Sequence, residues 1–410
     1  MNKVQEPTVG KTLTVEPTVR KTLTVATSRI HWQLLMGLVA GIVVMSMVVP
    51  SRAQLHHVPP AAPTFTVLYS FAGPTDGAFP VAGLVRDAAG NLYGTTAGGG
   101  ASSGCSFGSC GVVFKLAPAG SETVLHSFTG GPDGQDPYGG LTTDAAGNLY
   151  GTAVFGGSTT GTCHPFGGCG VVFELIRCDS AASGYEFKVL YSFTGGADGA
   201  RPVARLVRDA AGNLYGTTAN GGATSACYPP YGCGVVFKLS PSGTETVLHS
   251  FSEPGDGAFP GGLVRDAAGN LYGTGATITS NPFVFGAGTV FKLSPNGTET
   301  VLYSFTGGVD GGDPNGVVPD SAGNLYGTTQ EGGGSTACNV PDGTCGVVFK
   351  LSPSGTKTVL HSFTGADGGN SSAGLLRDAA GNLYGTTQYG GANTTCFSPY
   401  GCGVVFRLAP

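Results

Sequence analysis

Residues 83–96 read GLVRDAAGNLYGTT, and the order of residue types in that stretch decides the fold. Leu84-Val85-Arg86 and Leu92-Tyr93-Gly94-Thr95-Thr96 are short runs of apolar, β-branched and aromatic residues, the composition of strands. Asp87-Ala88-Ala89-Gly90 between them is a tight-turn sequence. Asp can accept bonds from backbone just downstream, and Gly tolerates the positive φ that such turns need. Strands are therefore expected over 83–86 and 91–96. Further along, 112–116 and 122–128 make a second pair around Pro118-Ala119-Gly120. The unit is a four-stranded antiparallel meander.

The unit repeats. Asn-Leu-Tyr-Gly begins at Asn91, Asn148, Asn213, Asn270, Asn324 and Asn382, at spacings of 57, 65, 57, 54 and 58 residues. Six such meanders can stack as a solenoid or close as a propeller. The chain ends choose between them. Residues 66–71 match the fourth strand of the unit, and 403–408 match the third. A ring needs this permutation, because the N-terminal strand then completes the last blade and leaves no open edge. The expected fold is all-β: a six-bladed β-propeller of four-stranded antiparallel blades, closed by pairing 66–71 with 403–408.

Composition agrees with many turns and strands, with Gly at 72 positions and charged residues at 11%. The first 53 residues are of another kind. EPTVGKTLTV (6–15) recurs as EPTVRKTLTV (16–25), and Arg29 and His31 precede an apolar run over 34–49 that ends before Ser51-Arg52-Ala53. A basic flank, a short apolar run and small residues at −3 and −1 fit a signal peptide over 1–53. The alternative, an uncleaved anchor, would need about 20 apolar residues to cross a bilayer. Residues 54–64 then form a linker and 65–410 the propeller. Removing 1–53 takes away six basic and two acidic residues, so the mature chain is more acidic than the −5 of the whole. That balance disfavours nucleic acid and anionic membrane as partners.

The pattern G-[apolar]-D-x-x-G-N-[apolar]-Y, seen at 83–93, resembles the blades of NHL-type propellers. Residues 65–410, with their NLYGTT…GVVFKLSPSGTETVLHSF units, are similar to the GloVer tandem-repeat family of secreted bacterial proteins. The resemblance implies a secreted repeat protein and brings with it no catalytic residue.

Turns from first to second and from third to fourth strand are tight, whereas the other two connections are long, so all long loops gather on one face. Loops on a rigid frame are where binding resides. Five of these loops carry a cysteine pair just before the third strand: Cys105/Cys110, Cys163/Cys169, Cys227/Cys233, Cys338/Cys345 and Cys396/Cys402. In a secreted chain, pairs at a repeated place read as disulfides. Thiolate metal sites would need two more ligands each, and His164 is the one histidine in these loops. Cys178, in an insertion between third and fourth strands, is left as a free thiol. The fourth blade has no pair, and its loop over 277–285 is apolar, either a ligand contact or a drifted repeat folded onto its own blade.

Three further patterns look chemical. The fourth strands alternate Tyr69, His126, Tyr191, His249, Tyr303 and His361. A three-His metal centre is conceivable, but on outermost strands these side chains stand at the rim, far apart. Asp-Gly recurs at Asp76, Asp133, Asp198, Asp256, Asp310 and Asp367, where an Asx-turn is preferred over a Ca²⁺ ligand set. The first-turn Asp (Asp87, Asp144, Asp209, Asp266, Asp320, Asp378) is identical in all six units, as suits a turn-former rather than a catalyst. Blade-specific charges are few: Arg201, Arg205, Glu331, Asp136 and Asp313. No catalytic, cofactor-binding or metal-ligating residue is assigned. The expected function is a secreted, non-catalytic binding or scaffold module acting through its disulfide-bearing face on a carbohydrate, protein or surface component. The alternative is a propeller hydrolase or lyase, which unlike polar side chains converging at the central channel would favour.

Overall fold

The structure, a computed structural model, describes residues 67–409 except 74, 103–104, 106–109, 159–162, 164–166, 223–226, 228–231, 253–254, 279–284, 335–344 and 392–402. The expected signal peptide and linker lie outside the described residues, as does Thr66. The described chain forms six antiparallel sheets in sequential order, five of four strands and a last one of three, with no helix. This is a six-bladed propeller.

Blade 1 shows why the repeat folds as it does. Its strands are Val85–Arg86, Leu92–Thr96, Val112–Leu116 and Glu122–Ser127, close to expectation except for a shorter first strand. In the first turn, Asp87 Oδ1 accepts the Asn91 backbone N–H at 2.8 Å, while Oδ2 accepts Asn91 Nδ2 at 2.7 Å and the Tyr93 hydroxyl at 3.0 Å. The D…N-x-Y part of the motif is thus one hydrogen-bonded unit, and Asp144, Asp209, Asp266, Asp320 and Asp378 repeat it. Gly94 is required sterically, since a methyl there would stand 2.7 Å from the Phe114 ring on the third strand.

Blades join through two recurring contacts. A fourth-strand phenylalanine meets the third-strand phenylalanine of the next blade edge-on: Phe128 on Phe173, Phe193 on Phe237, Phe251 on Phe291, Phe305 on Phe349 and Phe363 on Phe406, at 5.1–5.3 Å between centroids. Near the axis, second-strand hydroxyls donate to the next blade's backbone, as from Thr217 to the Gly261 carbonyl at 3.0 Å and from Thr328 to Ala373 at 3.1 Å. Each buried phenylalanine contributes roughly 1.5–3 kcal/mol, so the seams hold the ring.

The expected closing strand is seen in part of its role. Phe71 stacks edge-on against Phe114 at 5.0 Å, as the fourth-strand phenylalanines of the other seams do. Val67–Phe71, however, are in no strand, and Val404–Leu408 end their sheet without an outer partner among the described residues. Val405 is accordingly 82% exposed, where Val113, Val172, Val236, Val290 and Val348 are fully buried.

The apolar loop of blade 4 is carried by a long hairpin, Leu271–Ile278 and Phe285–Leu293, whose ladder continues to the Ile278–Phe285 pair. The tip of that loop lies outside the described residues.

Candidate functional site

The long loops of each blade are tied together. Single bridges join the loop after the fourth strand to the loop after the second, Ala78 to Gly98, Gln135 to Phe155, Ala200 to Asn220 and Gly369 to Tyr389, and in blade 4 to the long second strand itself, Ala258 to Ala276. The cysteines add a link between blades. Asp136, Arg201, Phe259 and Asn370 each donate a backbone N–H to the second cysteine of the preceding blade, Cys110, Cys169, Cys233 and Cys345, at 2.8–3.0 Å. These bonds connect the loops of blades 1 to 4 in series and those of blade 5 to blade 6.

Disulfides join Cys105 to Cys110, Cys163 to Cys169 and Cys227 to Cys233, with Cα atoms 5.1–5.3 Å apart. Cys345 is also disulfide-bonded, and Cys338, Cys396 and Cys402 lie outside the described residues. Cys178 is free, in the turn after Val171–Arg177, with its Sγ 3.0 Å from Ser180 Oγ. That hydrogen bond lowers the thiol pKa.

The alternating Tyr/His series and the Asp-Gly series are one feature. Tyr69 meets Asp76 at 2.7 Å, His126 meets Asp133 at 3.1 Å, Tyr191 meets Asp198 at 3.0 Å, His249 meets Asp256 at 3.2 Å, Tyr303 meets Asp310 at 3.0 Å and His361 meets Asp367 at 2.9 Å. Each carboxylate also accepts a backbone N–H three or four residues upstream, as Asp133 does from Thr129 at 3.0 Å. The aspartates thus shape the loop by reaching backwards, where an Asx-turn reaches forwards. Their histidines are engaged within their own blades, and no cluster of three or more metal-ligating side chains occurs among the described residues.

Three residues after each of these aspartates stands a non-glycine residue in the left-handed region: Phe79, Asp136, Arg201, Phe259, Asp313 and Asn370, with φ between 46° and 58°. Asn and Asp tolerate this region, whereas Phe and Arg do so at a cost. The backbone compels it where both its groups are used: Arg201 donates to Cys169 and accepts from the Ala219 N–H at 2.9 Å. Sequence inspection singled out Asp136, Arg201 and Asp313 as blade-specific charges but could not align them. Their shared offset from Asp-Gly was the signal available.

A cavity of about 550 Å³ opens on the axis, lined by residues of all six blades. The first strands run away from the loop face, so the residues preceding them place this cavity at the loop-face end of the channel. Arg205, Asp313, Asn315 and Gln330 line it together with Tyr138 and Phe259. Asn315 Nδ2 donates to the Ser371 carbonyl at 2.7 Å and Gln330 Nε2 to Asn315 Oδ1 at 3.2 Å, a chain that fixes both amides. Arg205 Nε donates to Thr142 Oγ1 at 3.2 Å. Burial raises the carboxyl of Asp313 to about 6, with no cation beside it, and raises the buried Asp136 likewise to about 6. Burial also lowers the pKa of Arg205, although its side chain is open to the cavity.

No curated protein matches the chain in sequence. Among solved structures, a gluconolactonase of Xanthomonas campestris aligns over 76% of this chain and 84% of its own, at 16% identity and a TM-score of 0.41. A catalytically inactive virginiamycin B lyase from Staphylococcus aureus, with quinupristin, aligns over 73% and 75% at 12% identity and a TM-score of 0.42. A putative gluconolactonase aligns over 78% and 90% at 14% identity and a TM-score of 0.39. The sequence model of the Gloeobacter/Verrucomicrobia repeat matches residues 52–176, 107–341 and 276–410, and the chain belongs to that repeat family.

Proposed function

We propose that the protein is a secreted, non-catalytic propeller that binds a carbohydrate, protein or surface component through its loop face. One observation carries this reading. Bridges tie the long loops within five blades, and bonds to cysteine carbonyls join blades 1 to 4 in series and blade 5 to blade 6, while the side chains at the six equivalent left-handed positions are not uniform. A rigid frame with variable side chains suits recognition. Disulfides suit an oxidising compartment and hence export. The test is a screen of the purified domain, residues 54–410, against glycans and envelope fractions, with and without Ca²⁺. Saturable binding that is lost on reduction supports the reading, and absence of binding to every fraction removes it.

The second reading, a hydrolase or lyase at the central channel, is favoured by the unlike polar lining of the axial cavity. It ranks behind because Asp313 is the only carboxylate, and no His, Lys or Cys stands beside it, among the described lining residues. Acid–base chemistry generally asks for a second group within hydrogen-bond reach of the reacting atoms. Turnover of any glycan or lactone in the same screen would reverse the order.

A further inference from the structure

We propose that the loop-face end of the channel is a binding site for a small monocarboxylate, its carboxylate on the Arg205 guanidinium and its hydroxyl or ammonium end on Asp313, Asn315 and Gln330. The inference rests on the loop face being the binding surface and places the ligand on the axis.

Arg205 is the first ground. The residue immediately before the first-strand Leu or Val is Gly83, Gly140, Gly262, Gly316 and Gly374 in the other five blades. A Cβ at Gly83, Gly262, Gly316 or Gly374 would meet nothing within 4 Å, so these glycines leave open space on the channel. Blade 3 alone puts a long cationic side chain there. Its anchor is equally particular: Thr142 is the one hydroxyl residue at a position held by Val85, Val207, Val264, Val318 and Leu376 elsewhere. With Nε on Thr142, the two terminal nitrogens of Arg205 are not engaged by any described residue. A fixed guanidinium with its fork open to a cavity is a receptor for a planar oxyanion.

The second ground lies two blades away. Asp313, Asn315 and Gln330 all belong to blade 5, and Asn315 replaces the Ala82, Gly139, Ala204, Gly261 and Ala373 of the others. The Asp313 carboxylate accepts no hydrogen bond from a described residue. No ion pair joins Asp313 to Arg205 among the described residues. A cavity of about 550 Å³ lies within the range of small-ligand sites. A ligand bridging these groups needs an anion at one end and donors at the other. A doubly charged anion such as phosphate would be repelled by Asp313. Uronic acids and zwitterionic peptides share the required pattern, and Tyr138 and Phe259 offer apolar faces to either.

Calorimetric titration of the purified domain, residues 54–410, distinguishes the sources. The probes are galacturonate and alanyl-alanine, each beside its methyl ester. At least one acid should bind ten-fold or more tightly than its ester. Arg205→Gly, which installs the residue of the other five blades, should abolish that preference without lowering the melting temperature. Asp313→Asn should weaken the same acid five-fold or more. Neither acid binding better than its ester, or a preference that survives Arg205→Gly, overturns the channel site. A glycan or envelope component held equally by parent and Arg205→Gly would leave the loop-face reading standing while removing this one.

Discussion

Glu245 and Glu299 begin fourth strands, and each has one carboxylate oxygen buried without a hydrogen-bond partner. Burial first, and then the charges of Asp198 and Asp256, raise Glu245 to about 7 and Glu299 to about 6. Asp136 and Asp313 stand at about 6 for reasons of burial alone. These four acids bind protons more tightly folded than unfolded. Their contribution to stability is complete below their unfolded values near 4 and is lost as the pH rises through 6 to 7. The turn aspartates Asp87, Asp144, Asp209, Asp266, Asp320 and Asp378 have the opposite sign, being lowered in the folded state. Their contribution is present above the unfolded value and lost as the pH falls below about 4. The melting temperature should therefore rise from pH 8 to a maximum near pH 5 and fall below pH 4. Glu245→Gln should raise it by roughly 2 °C at pH 8, the shift expected of about 1 kcal/mol in a large domain, and leave it unchanged at pH 4 and below. A melting temperature that falls between pH 8 and pH 5 contradicts the assignment.

At the scale of strands and loops, the cysteine pairs link compartment to structure. A closed loop of about seven residues stabilises by on the order of 2 kcal/mol through chain entropy. In exported protein all five pairs should be oxidised, with Cys178, on the tight-turn face, as the single titratable thiol. Thiol counting under denaturing, non-reducing conditions should give one per chain, rising to eleven on reduction. Eleven before reduction would mean a reducing location, and none would mean an intermolecular bridge through Cys178. Elements of this kind were legible in the sequence because every strand is a short β-branched run bounded by Gly, Pro or Asp. The first strands came out at two residues in five blades, whereas in blade 5 the ladder runs over Gly312–Pro319 and takes in the channel residue Asn315. The axial site was legible only in pieces. Arg205, Asp136 and Asp313 stood out as blade-specific charges, but the left-handed backbone at Phe79 or Arg201 is imposed by bonds to other segments of the chain, and no residue type announces it.

For the whole molecule the open question of physics is the sixth seam. Five seams are alike: a phenylalanine pair, a buried third-strand valine, and a Leu or Val before the first turn that is at most 6% exposed. At the junction of blade 6 with blade 1 the same positions are bare, with Leu84 50% and Val405 82% exposed. Such an apolar sheet edge favours pairing, and the segment able to provide it already touches blade 1 through Phe71 and Tyr69. The register follows from the other blades. Val113 faces His126, Val172 faces Tyr191 and Val348 faces His361, while one residue earlier Val112 faces Ser127 and Val347 faces Ser362. Val405 should therefore face Tyr69, and Val404 should face Ser70. Replacing Ser70 and Val404 by cysteine together should form a disulfide, found as a linked peptide pair by mass spectrometry, and should raise the melting temperature above that of the parent. Deleting 54–71 should do the reverse, lowering it far more than deleting the tip of a surface loop does. A cross-link that forms one register away would keep the ring and correct the pairing. Failure of the cross-link, together with equal melting temperatures for the two deletions, would mean that blade 6 stands with three strands and that the ring is held by its five Phe–Phe seams alone.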